Sequence, residues 1–105
     1  MKKILLISLL FFESIFSQKT TTITVLGTVQ DGGLPHIRCE KKCCNNRSAD
    51  LKVTSLGLSL PNNQGFYLFE ASPDISYQLR YMRTKYESSF KGIFLTHAHI
   101  GHYSG

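Results

Sequence analysis

Ile93 to Gly105 read I-F-L-T-H-A-H-I-G-H-Y-S-G, and the meaning of this stretch decides the rest of the chain. A short apolar run with the look of a buried strand ends at Thr96, and histidines follow at 97, 99 and 102. His97 and His99, two apart, point the same way if the backbone stays extended. His102 joins them if the chain turns at Gly101. Imidazole is the commonest metal ligand near neutral pH, because it is largely neutral there and offers a nitrogen lone pair. Three of the chain's four histidines sit within six residues behind one strand. That grouping reads as a ligand set.

With its leading strand and Thr96, the stretch resembles the H-x-H-x-D-H signature of the metallo-β-lactamase fold. Gly101 stands where the signature has aspartate. In that departure, and in V-L-G-T-V-Q-D-G-G-L-P-H at Val25 to His36 with the cysteines after it, the chain is similar to the pyrroloquinoline quinone biosynthesis protein B-like branch. The likeness covers nearly everything after residue 20. It implies an α/β fold, the amino-terminal half of an αββα sandwich, with mostly antiparallel strands plus one helix. It also implies zinc, one or two ions, at His97, His99 and His102. In the resembled family a further ligand of the first metal lies downstream, and the motif's aspartate and last histidine serve a second metal. His102 matches that last histidine, and Gly101 has no side chain to offer. One tightly held metal through His97 and His99 is therefore the expectation, with Gly101→Asp expected to raise occupancy of the second position.

The chain has 105 residues. Residues 1–17 read as a signal peptide: Lys2 and Lys3, an apolar core from Ile4 to Phe12, and a small residue, Ser17, before Gln18. That core falls short of the about 20 apolar residues a bilayer span needs. A periplasmic or secreted product with no stable membrane span is expected. Removing two lysines and one glutamate with the leader takes the formal net charge from +5 to +4, an ordinary balance. With no tryptophan and no basic stripe interleaved with aromatics, nucleic acid is not an expected partner. A small-molecule substrate or ligand is. Residues 18–105 are too few for two stacked αβ halves, so they read as one partial metallo-β-lactamase-like domain of a longer protein.

Ile23 to Thr28 is β-branched and apolar, as a first strand should be. Val29 to Lys52 shows no periodicity. Val53 to Leu60 alternates, with leucines at 56, 58 and 60, and P-N-N-Q-G at 61–65 is turn chemistry before a returning strand at Phe66 to Glu70. An antiparallel hairpin follows from this. Ser72-Pro73-Asp74 reads as a helix start, with Ser72 as cap. Ile75, Leu79, Met82 and Tyr86 then make one apolar helical face. Asp74 is explained as an acid favoured at a helix N-terminus, with catalysis a weaker alternative. Asp31-Gly32-Gly33 reads as a tight turn out of the first strand, or as backbone brought close to a ligand.

Cys39, Cys43 and Cys44 follow His36 at short spacing. Three thiolates with His36 would make a closed structural zinc site. The alternative is a disulfide from Cys39 to one of the neighbouring pair, which leaves one thiol free. The resembled branch carries a cysteine cluster here, and structural zinc is the slightly favoured expectation. Glu70 stands where the family often has an aspartate ending the third strand; it reads as a hydrogen-bond partner of a metal ligand or as a plain strand-end charge.

A catalytic zinc keeps about three protein ligands and one position for water, whose pKa it lowers to about 7. The chain therefore reads as an exported zinc-dependent metallo-hydrolase of unknown substrate. The rival reading is a non-catalytic binding or carrier protein for a metal or a quinone-like small molecule. Gly101 favours the rival.

Overall fold

The structure, a computed structural model, describes residues 20–35, 37–45 and 51–105. The leader sequence and His36 lie outside the described residues. Four strands form one sheet in the order β1 (Thr22–Gly27), β2 (Ser55–Ser59), β3 (Phe66–Phe69) and β4 (Phe90–Phe94). A short helix α1 (Lys42–Asn45) precedes β2, α2 (Ile75–Tyr86) joins β3 to β4, and α3 (Ile100–Tyr103) follows β4. This is the mixed α/β arrangement expected from the sequence.

β1, β2 and β3 pair antiparallel in turn, and β4 lies parallel to β3. A parallel pair needs a crossover, which α2 supplies. The hairpin turn uses residues that tolerate the left-handed region: Asn62 and Asn63 at φ 55° and Gly65 at φ 122°. Because β2 alone runs the opposite way, β1, β3 and β4 all end at the same edge of the sheet. That geometry puts the segments after Gly27, Phe69 and Phe94 side by side.

α2 covers one face, where Phe66, Leu68 and Met82 are fully buried and Ile75, Leu79 and Tyr86 pack around them. On β2 this covered face carries Ser55, Gly57 and Ser59, while the leucines point the other way. The inversion has a steric cause. A Cβ on Gly57 would come within 2.5 Å of the Met82 Cε, so the helix sits close only because the strand is bare there. The opposite face aligns Ile23 with Leu58 and Tyr67, and Val25 with Leu56 and Phe69. Phe94 pairs with Phe69 on its far side, and Ile23, Val25 and Phe94 are 67%, 63% and 49% exposed.

The start of α2 differs from expectation by a shift of roles. Hydrogen bonding begins the helix at Ile75, but the Asp74 N–H donates to Ser72 Oγ (3.1 Å), which is still a serine cap. Asp74 Oδ2 accepts the Val53 N–H (2.8 Å), tying the helix to the chain entering β2. Gln78, fully buried, donates to the Val53 carbonyl and accepts from Ser72 Oγ, each at 2.8 Å. Asp74 is thus a structural acid.

Met82→Ala in the full-length protein should cost about 2–5 kcal/mol, since it empties the centre of the helix–sheet contact. Chemical denaturation checks this. A loss under about 1 kcal/mol would mean that the core collapses around the gap.

Candidate metal centre

The three histidines leave the sheet together. Beyond β4 the chain bends at His97, is extended again at His99, whose φ and ψ are −102° and 131°, and then closes into α3, so the unbroken extended exit expected from the sequence is interrupted by one bend. The His102 N–H donates to the His99 carbonyl (2.8 Å), which fixes the turn expected at Gly101. One ligand atom from each of His97, His99 and His102 lies within 4.8 Å of the others. Among the described residues no other group of three potential ligands comes together in this way.

Two of these imidazoles are held from behind. His97 Nδ1 lies 2.8 Å from Thr96 Oγ1, and His102 Nδ1 faces Glu70 Oε2 at 3.2 Å. Both contacts engage Nδ1 and leave Nε2 for a metal. The Glu70–His102 pair meets off the line of an ideal hydrogen bond, and neither atom has another partner among the described residues. Glu70 is buried and does more than this: its Oε1 accepts the Thr96 N–H (2.9 Å), and its own N–H donates to the Phe94 carbonyl (2.9 Å). It achieves these contacts at φ 77°, a region a side-chain-bearing residue occupies at a cost of about 1–3 kcal/mol. The Ala71 N–H, one residue on, donates to the His102 carbonyl (2.8 Å). Of the two readings for Glu70, partner of a ligand is the one the geometry supports.

The donor set fits a borderline metal such as zinc: three imidazoles, two of them pre-oriented, at an exposed strand end. A cleft of about 490 Å³ lined by Leu95, Thr96, His97, Ala98 and Tyr103 opens beside them. Replacing Glu70 by glutamine should weaken zinc binding about 10–100-fold, since the amide keeps an acceptor for Thr96 but loses the anion behind His102. Competition with a chromophoric chelator measures this. Unchanged affinity would reduce Glu70 to a strand-end brace.

Gly101 is buried, and its surroundings were not legible in the sequence. A Cβ at this position would come within 2.5 Å of Asp31 Oδ2 and 2.7 Å of Asp31 Cγ. The expectation that Gly101→Asp would fill a vacant position is therefore corrected: the space is taken. The obstacle is steric, since the glycines at positive φ are Gly33 and Gly65.

The cysteine cluster also departs from the favoured expectation. Cys39 and Cys44 form a disulfide with Cα atoms 6.0 Å apart, and Cys43 is free and exposed. Successive residues of α1 point about 100° apart, so only one of Cys43 and Cys44 can turn toward Cys39. The bridge removes two thiolates from the expected structural zinc site; the disulfide alternative is the one the structure holds.

No protein-family model matches the sequence, and no curated protein matches it. Solved structures do. A diphosphatase of the PhnP family is similar with a TM-score of 0.64 and 26% identity, over 81% of this chain and 32% of that one. Zn²⁺-bound PqqB from Methylobacterium extorquens is similar with a TM-score of 0.60 and 24% identity, over 79% of this chain and 34% of that one. Both are metallo-β-lactamase fold proteins, and this chain spans about a third of the length of each.

Proposed function

We propose that this portion of a metallo-β-lactamase fold belongs to an exported, zinc-dependent hydrolase acting on a small molecule. The carrying observation is the convergence of His97, His99 and His102 at one sheet edge, with Glu70 behind His102. Zinc, when bound, supplies Lewis acidity and a coordinated water with a pKa near 7. The chain's own part is to hold and orient the ion through the three imidazoles, to fix the His102 ring through Glu70, and to offer the cleft beside His97 to a substrate. The diphosphatase activity named for one similar structure and the zinc carried by the other support hydrolysis and zinc here.

Export is supported by the leader at 1–17 and by the Cys39–Cys44 bridge, since disulfides persist in oxidising compartments. Among the described residues, no helix is long and apolar enough to cross a membrane. Amino-terminal sequencing of the mature protein should begin at Gln18.

The test of activity uses the full-length protein with a panel of chromogenic phosphodiesters, phosphomonoesters and carboxylic esters. Turnover of at least one class, abolished by chelation and restored by zinc, is expected. A protein that holds zinc at the histidines and turns over none of them would favour the second reading, a binding or carrier protein for a quinone-like compound. Gly101 is the observation on that side.

A further inference from the structure

We propose that Asp31 supplies the carboxylate of this centre, reaching from the loop after β1 into the space that a side chain at position 101 would fill, so that the site holds two zinc ions. This deepens the metal-centre reading and rests on it. The placement is direct: an ideal Cβ on Gly101 would come within 2.5 Å of Asp31 Oδ2, so the Asp31 side chain occupies the space beside the residue that precedes His102. Its sequence position lies 70 residues away from Gly101.

The loop that delivers Asp31 is fixed by backbone. The Thr28 and Val29 N–H groups both donate to the Lys52 carbonyl (3.0 and 3.1 Å), and the Thr54 N–H donates back to the Val29 carbonyl (2.8 Å). The Gly33 N–H closes the turn on the Gln30 carbonyl (3.0 Å), with Gly33 at φ 80°. These bonds carry the chain from the end of β1 across the start of β2 toward α3. The Asp31 carboxylate itself makes no hydrogen bond or ion pair with the described residues.

Charge and distance decide its role. Imidazole ligands bring no negative charge to a divalent cation, and a carboxylate nearby would offset part of its charge. Asp31 is not a member of the group that the three histidines form, so it does not simply complete their cluster. It would instead serve a second ion beside the first, as in two-metal hydrolase sites, with Asp31 supplying an oxygen ligand next to His102. Gly101 then has a positive reason: only a residue without a side chain admits Asp31.

The test is zinc stoichiometry in the full-length protein after dialysis, by elemental analysis, with cobalt substitution to read spin coupling between neighbouring ions. The unmodified protein should hold two zinc ions at this centre, and Asp31→Asn, which preserves size, should hold one and lose the coupling. Gly101→Asp alone should lower the melting temperature by forcing two side chains into one space. The swap Asp31→Gly with Gly101→Asp should regain both the second ion and the melting temperature. Two coupled ions in Asp31→Asn, or a folded swap variant that stays at one, would overturn the role of Asp31 while leaving the histidine centre standing. Loss of no metal on His97→Ala would instead overturn the centre.

Discussion

Replacing His97 and His99 together with alanine is expected to strip the zinc from the sheet edge and lower hydrolysis about 10³-fold or more. Metal stabilisation of transition-state charge is worth several kcal/mol, and each 1.36 kcal/mol is tenfold in rate. The fold should survive, because both residues are exposed and His97 lines the open cleft. Metal-free forms of the variant and of the unmodified protein should therefore melt within a few degrees of each other. Elemental analysis, turnover and a thermal melt on the same preparation make the check. Retention of zinc by the double variant would move the metal elsewhere in the protein and remove the basis of the functional reading.

Residues 18–105 produced alone should fail to give a cooperative thermal transition and should elute as associated species. α2 seals one side of the sheet, whereas Ile23, Val25, Leu56, Leu58, Tyr67, Phe69 and Phe94 line the other. A contiguous apolar face of this kind drives association, and β1 adds an open strand edge beside it. Lysines in place of Ile23 and Val25, the two most exposed of the set, should shift the elution toward monomer. A sharp transition with monomeric elution from the unaltered segment would show that this face needs no cover.

The histidine centre was legible in the sequence because its ligands are neighbours along the chain. His97 to His102 need only a bend at His97 and one turn at Gly101 to converge. Strands and turns were legible for the same local reasons, down to Asn62 and Asn63 at positive φ. What the alternation of β2 did not disclose was which side the helix would cover. Small residues at 55, 57 and 59 let α2 approach, a packing fact no period-2 pattern contains. The cysteine spacing fitted a bridge and a metal site equally well, and the outcome turned on the direction of two side chains on α1. Asp31 was read as part of a turn, which it is. Its approach to Gly101 depends on β1 and β4 ending at the same sheet edge, a consequence of topology rather than of spacing.

At position 70 the backbone and the site make opposing demands. A φ of 77° is glycine's territory, yet the Thr96 N–H needs a side-chain acceptor there and the His102 ring a carboxylate. Glycine would relax the main chain and abandon both partners, and asparagine, tolerant of the left-handed region, is one methylene too short to copy the reach. No residue satisfies both constraints, so glutamate persists as a compromise in which conformational ease is given up for ligand control. Selection of variants for stability alone would therefore erode the metal centre first at a residue that touches no metal.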